Sequence, residues 1–132
     1  MKRAVLMWGL AAAAVQARAE PAAVDGKTVF AKNCAACHQA TGAGIPGAFP
    51  ALKANPFLQG EPVALITTVL KGRAGMPAFA ASLDDAQLAA VLSYARGAWG
   101  NQAAPISPAQ TAAVREAANA PASTQQKSTI IH

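Results

Sequence analysis

Apolar residues recur at helical spacing in four stretches of this chain, separated by segments punctuated with glycine and proline. The first stretch starts from Asp25 as a cap and places Val29, Phe30, Asn33 and Cys34 three to four residues apart. Gly26 is out of place there. Glycine inside a helix costs about 1 kcal/mol relative to alanine, so its position predicts a close approach by another backbone. The second stretch opens at Glu61-Pro62, with proline at the first helical position and an acid near the positive end of the dipole. Its predicted buried stripe is Val63, Ile66, Val69 and Leu70, and Gly72 is the stop. In the third, Asp84 and Gln87 form a capping box and Leu83 and Leu88 a hydrophobic staple. The inward face there runs through Leu88, Val91, Leu92, Tyr94 and Ala95 to a stop near Gly97. After a turn at Trp99 and Gly100, Ser107 as cap and Pro108 at the first position predict a fourth helix through Val114 to about Asn119. Nowhere do β-branched residues alternate with polar ones over a strand's length, so the predicted fold class is all-α.

Two of the intervening segments carry more than turn chemistry. Gly42, Gly44, Pro46, Gly47 and Pro50 mark a loop, yet it contains Ile45, Phe49 and Leu52, apolar residues that a surface loop has no use for unless it packs on something. The run from Gly72 to Phe79 is non-helical and displays Met76 between Gly75 and Pro77. The ends differ again. Residues 1–19 have Lys2 and Arg3, an apolar run over residues 4–15, and Ala17-Arg18-Ala19 as a small-x-small site, the pattern of a secretory signal cut before Glu20. Twelve apolar residues are too few to span a bilayer, which needs about twenty, and no membrane span is predicted in the mature chain. Beyond Ala120 the sequence is polar with little to bury, and a disordered tail is expected over residues 120–132.

Composition narrows the picture. Of 132 residues, 53% are apolar, but 36 are alanine, so large core side chains are scarce. A small domain with so few of them needs another source of apolar area. The formal charge of +5 shrinks once the leader is set aside, because eight basic residues then stand against six acidic ones. With no cluster of Lys and Arg interleaved with aromatics, a nucleic-acid partner is not expected.

The missing apolar area is accounted for by Cys34-Ala35-Ala36-Cys37-His38, which reads as a c-type haem attachment site. Each thiol adds to one vinyl group of the porphyrin, and the adjacent imidazole coordinates iron from one face. Three other readings compete. A thioredoxin-like redox pair belongs beside a βαβ pattern that is missing here. Structural zinc wants four ligands, for which only Cys34, Cys37, His38 and the distant His132 are present. A structural disulfide suits an exported chain but leaves His38 unexplained. Export and haem attachment agree independently, since bacterial attachment takes place outside the cytoplasmic membrane.

What fills the iron's other face decides the function. With the leader removed, Met76 is the one methionine left. Its bland role is to fill a gap in the core; its alternative is to be the second axial ligand.

On these residues the chain resembles the class I cytochromes c, over about residues 25–99. The resemblance rests on the Cys34 to His38 motif, the loop from Gly42 to Leu52, Gly75-Met76-Pro77-Ala78-Phe79, and the helix through Leu88 and Tyr94. It implies a small cytochrome c fold in which the first and last helices cross, here followed by a trailing C-terminal helix. The corresponding division is a signal peptide over 1–19, a cytochrome c domain over 20–100, the trailing helix over 101–119 and the tail. One covalently bound haem c is implied, with thioethers to Cys34 and Cys37 and with His38 and Met76 as axial ligands. Pro50 would offer its carbonyl to Nδ1 of His38, Leu52 would pack on the haem face, and Gly26 and Phe30 would meet Val91 and Tyr94 at the crossing. More narrowly, Phe49-Pro50-Ala51-Leu52, Gly75-Met76-Pro77 and Trp99-Gly100-Asn101 resemble haem domains in cytochrome subunits of periplasmic dehydrogenases, which often carry three haems where this chain has one motif.

The implied function is periplasmic one-electron transfer between redox proteins, the donor or acceptor being a dehydrogenase, an oxidase or a membrane cytochrome. A partner would dock beside Ala35, Ala36, Ile45, Ala48 and Pro77, and Arg73 would either meet a propionate or the partner or be a solvated loop charge. Two other classes are open from the residues alone. If Met76 does not bind, iron is free to take peroxide, nitric oxide or oxygen, as in an enzyme or sensor. If no haem is attached, the chain is a disulfide-bearing interaction protein.

Overall fold

The computed structural model describes residues 23–121. The expected leader, nearly all of the expected tail, and His132 lie outside the described residues. Six helices follow in order: α1 (Gly26–Asn33), α2 (Ala35–His38), α3 (Pro56–Gln59), α4 (Pro62–Lys71), α5 (Asp85–Gly97) and α6 (Pro108–Asn119). Among the described residues there is no strand, only two isolated antiparallel bridges, Ile45 with Phe49 and Arg73 with Met76, each closing a loop. The all-α fold class is therefore what the chain adopts. None of these helices is long and apolar enough to cross a membrane.

Local chemistry sets most helix boundaries. Asp25 caps α1 by accepting from the Lys27 amide, and the Thr28 hydroxyl also donates to its carboxylate. That hydroxyl is the main reason the Asp25 carboxyl titrates below its ordinary value. Asp84 with Gln87 and Ser107 with Gln110 form full capping boxes at the starts of α5 and α6, each satisfying backbone donors that the first helical turn leaves free. Gly72 ends α4 with φ 74°.

Two features differ from the sequence expectation. Val63 is 62% exposed, and Leu65, at 5%, takes its place in the α4 stripe with Ile66, Val69 and Leu70. At 100° per residue the buried arc centres between Ile66 and Val69, which leaves Val63 about 90° away, in the first turn. The short α3 was not predicted. It forms because Asn55 accepts from the Leu58 amide and Pro56 occupies the first helical position, and it drives Leu58 into the core at 3% exposure.

The core joins Val29 and Phe30 of α1, the α4 stripe, Leu88, Ala89, Val91, Leu92 and Ala95 of α5, and Ile106 and Val114 near α6. Burying each of the larger of these side chains contributes about 1.5–3 kcal/mol. The most extensive helix contact is α1 on α5. Gly26 makes it possible: a Cβ there would lie 2.1 Å from the carbonyl oxygen of Ala90 and 3.0 Å from Cβ of Tyr94. The predicted close approach is real, although the backbone met is that of Ala90 rather than Val91. Phe30 continues the seam, its ring 5.5 Å from that of Tyr94 and 5.2 Å from that of Trp99, distances at which tilted aromatic pairs attract. Arg96 sits on the α5 core face at 4% exposure. It is tolerated because its guanidinium donates to the carbonyls of Leu58, Gly60 and Ala104.

Candidate functional site

Cys34, Cys37 and His38 share one turn of backbone. The chain leaves helical geometry at Cys34, with φ −121°, and re-enters it at Ala35, so α1 and α2 are offset segments joined at that residue. The Cys34 carbonyl accepts from the amides of both Cys37 and His38, at 3.2 and 2.9 Å. This holds the two thiols and the imidazole in one small unit. Cys34 and Ala35 pack against the core, while Cys37 and His38 are half-buried and Ala36 is exposed. Both thiols are free rather than paired. Burial, with Cys37 beside it as a smaller cause, pushes the Cys34 thiol up to about 11. Among the described residues no three His, Cys, Asp or Glu side chains are grouped to hold a metal ion.

His38 Nδ1 lies 2.9 Å from the carbonyl oxygen of Pro50. A carbonyl only accepts, so Nδ1 carries a proton, and in the neutral ring Nε2 is then the nitrogen with the lone pair. The intervening loop is built to place that carbonyl. Gly44 donates to the His38 carbonyl, Ile45 and Phe49 exchange backbone bonds, and the amides of Leu52 and Lys53 both donate to Gly42. The loop is ordered by its own backbone, not left as a free surface segment.

Met76 ends a tight turn in which Arg73 and Met76 exchange backbone hydrogen bonds at 3.1 and 2.9 Å. Gly72 admits the returning chain: a Cβ there would lie 2.6 Å from the Met76 carbonyl oxygen, and its φ of +74° also disfavours any side chain. Beyond Pro77, the amides of Phe79 and Ala80 donate to the Val69 and Leu70 carbonyls, clamping the segment along the end of α4. Met76, Leu52 and Phe79 are half-buried against the core, and Arg73 is exposed.

The six residues expected to form the site thus sit on three supports: the α1–α2 joint, the loop before α3 and the loop after α4. The structure brings Pro50 onto His38. The sequence assigned no role to Arg96, Asn101 or Arg115, all of which tie loops to helices through backbone carbonyls. Arg96 has a visible signal, since it continues the Leu88, Leu92 spacing on an apolar face; Asn101 shows only as the end of the Trp99-Gly100-Asn101 segment that carries the resemblance, and Arg115 has none. A covalently attached haem fits the residues present. The donors are a thioether and an imidazole whose free nitrogen is fixed by the bond at the other, beside two thiols and a border of apolar side chains.

Comparison with known proteins agrees. The family described as cytochrome c oxidase, cbb3-type, subunit III matches residues 21–94. The cytochrome c subunit of alcohol dehydrogenase (quinone) from Gluconacetobacter polyoxogenes is 33% identical over 94 residues, 62% of this chain and 20% of that subunit. The cbb3-type cytochrome c oxidase subunit CcoP from Azospirillum sp. (strain B510) is 40% identical over 85 residues, 58% of this chain and 29% of CcoP. Cytochrome c-552 of Thermus thermophilus is 38% identical over 93 residues, 58% of this chain and 70% of its own length. The matched region thus spans about a fifth of the dehydrogenase subunit and under a third of CcoP.

Proposed function

Because this chain belongs to the cytochrome c family described as cytochrome c oxidase, cbb3-type, subunit III, an electron-transfer family whose members hold haem c covalently, we propose that it is a periplasmic one-electron carrier. In this reading a single haem is joined through Cys34 and Cys37, with His38 and Met76 as axial ligands. When bound, the haem supplies reversible one-electron chemistry at a potential set by its ligands and surroundings.

The chain's own residues do the rest. Pro50 accepts the Nδ1 proton of His38, which fixes the ring and raises the basicity of Nε2. The Arg73–Met76 turn presents the thioether from a backbone held at both ends. Leu52 and Phe79 lie against the core, where they keep water from the ligand sphere. With His38 and Met76 both engaged, no position is left for a substrate, so the chain passes electrons and converts nothing. The hydrogen bond from His38 to Pro50, attached to an intact Cys34 to His38 motif, is the observation that carries this reading.

Ala36, Ile45, Ala48 and Pro77 are exposed, uncharged residues of the α2 turn and the two ligand loops. They suit a weak redox encounter, which typically buries under ~1,200 Å². The relatives' names favour a dehydrogenase or an oxidase as the protein on the other side; a membrane cytochrome is the third candidate.

Met76→Ala tests the ligand assignment. The haem should remain attached through electrophoresis in denaturant, the long-wavelength absorption band of methionine-ligated haem should vanish, and the midpoint potential should fall. An unchanged band and potential would show that Met76 is not a ligand, and loss of all haem stain from the wild type would remove the carrier reading altogether.

A further inference from the structure

Both ligand loops are held from outside by side chains C-terminal to residue 94, where the family match ends. Asn101 is 4% exposed. Its amide oxygen accepts from the Ala54 amide at 2.9 Å, and its amide nitrogen donates to the carbonyls of Leu52 at 3.1 Å and Ala95 at 2.9 Å. One side chain therefore ties the end of the His38-side loop to the last turns of α5. Trp99 fastens the beginning of that loop: its Nε1 donates to the Ala40 carbonyl at 3.0 Å, and its ring lies directly over Gly42. Pro50, whose carbonyl meets His38, lies between the two fixed points.

The other loop is held by α6. Arg115 pairs with Asp85 at 2.8 Å and donates to the Leu83 carbonyl at 2.7 Å and to that of Ala80. Ala80 is four residues beyond Met76. Thr111, fully buried, secures the helix itself with a hydroxyl 2.8 Å from the carbonyl oxygens of both Asp85 and Pro108, which share its one proton. Val114 and Thr111 already fasten α6 to the core and to α5. The polar bonds of Asn101 and Arg115 instead reach backbone in the two loops, where they restrict loop position directly.

We propose that residues 99–115 brace the ligand sphere, with Asn101 as a positioning residue for His38, through Leu52 and Pro50, and Arg115 as a positioning residue for Met76, through Ala80. This rests on the haem reading given above, and it assigns each end of the brace its own signature. Loosening Asn101 frees the Pro50 carbonyl, so the His38 Nδ1 proton and the Leu52 and Ala54 amides exchange faster with solvent while the methionine band persists. Loosening Arg115 lets the Met76 loop open before the helices melt, a local opening separate from global unfolding.

The test uses the haem-loaded full chain with Asn101→Ala, Arg115→Met and, as control, Arg96→Met, which removes a buried arginine bonded to neither ligand loop. Asn101→Ala removes both of the side chain's bonds to the loop, to Leu52 and Ala54, and should accelerate those exchanges by about fivefold or more, the factor expected from losing two hydrogen bonds even at the low end of ordinary net strength, and shift the midpoint potential. Arg115→Met should lose the methionine band at a lower denaturant concentration than its helical signal, with the His38 proton unaffected. Arg96→Met should lower stability and leave both signatures at wild-type values. If the first two variants are merely less stable, with exchange, potential and band tracking the wild type and the control, the brace is overturned. Should either fail to fold, Asn101→Ser and Arg115→Lys carry the same comparison. A wild type without haem sinks the underlying reading, whereas a haem-loaded wild type with silent variants sinks the brace alone.

Discussion

Adding one methyl group at Gly26 should destabilise this protein, although alanine is the better helix former. The new Cβ would stand 2.1 Å from the Ala90 carbonyl oxygen, 2.6 Å from its carbon and 3.0 Å from Cβ of Tyr94. Ordinary contact begins near 3.4 Å, so α1 must retreat from α5 by more than an ångström, and the obstacle is backbone that cannot rotate away. Overfilling a packed contact of this kind costs about 1–3 kcal/mol. Helix propensity returns at most about 1 kcal/mol, and less at the first helical residue, so the clash wins by roughly 1–2 kcal/mol. For a domain of this size that lowers the melting temperature by about 4–8 °C per kcal/mol. Gly97 is the internal control, because a Cβ there meets nothing within 4 Å, and Gly97→Ala should be neutral or slightly stabilising. Denaturant and thermal melts of both haem-loaded variants decide the matter. A Gly26→Ala protein as stable as the wild type would refute the argument that this crossing requires glycine.

The exchange of Val63 for Leu65 in the α4 stripe makes a paired prediction. Leu65→Ala should cost about 2–5 kcal/mol and Val63→Ala should change stability by under about 0.5 kcal/mol, both read from denaturant midpoints; equal effects would contradict the helix orientation. Cys34 gives a pH prediction for the chain before haem attachment. Its thiol is raised from an ordinary 9.0 to about 11, so the folded form holds the proton more tightly than the unfolded one. That contribution is complete below pH 9.0 and is lost as pH rises towards about 11. The stability difference between the unattached wild-type chain and Cys34→Ser should therefore shift across that interval, and a difference independent of pH would show that the thiol is not buried.

How far the sequence announces this structure depends on the range of the interaction. The starts of α1, α4, α5 and α6 are written in adjacent residues, such as Asp84 with Gln87 or Ser107 with Pro108, because capping is a local bond. α3 escaped because four residues show no periodicity, although Asn55-Pro56 was its signature. Val63 was misplaced because apolar character places a residue near the stripe without fixing the rotation of the helix. At the candidate site, Cys34, Cys37 and His38 stand out in the sequence because they are contiguous, and Met76 is singled out because its Gly72 and Pro77 surroundings are unlike a core helix; its role as a ligand is the proposal that Met76→Ala tests. Pro50 came from resemblance to a family, and its approach to His38 is now visible. The roles of Asn101 and Arg115 are not legible, although Asn101 ends the Trp99-Gly100-Asn101 segment, since the loop backbone they bind lies tens of positions away and no local pattern encodes that.

The central claim is that this polypeptide carries one haem through its own two cysteines. Intact-mass spectrometry of the full chain, produced in a host with cytochrome c maturation machinery and compared with Cys34→Ala and Cys37→Ala together, tests it most directly. The account requires the wild type to exceed its bare polypeptide mass by one haem and the double variant to match its own bare mass. A wild-type mass equal to that of the polypeptide alone would contradict it.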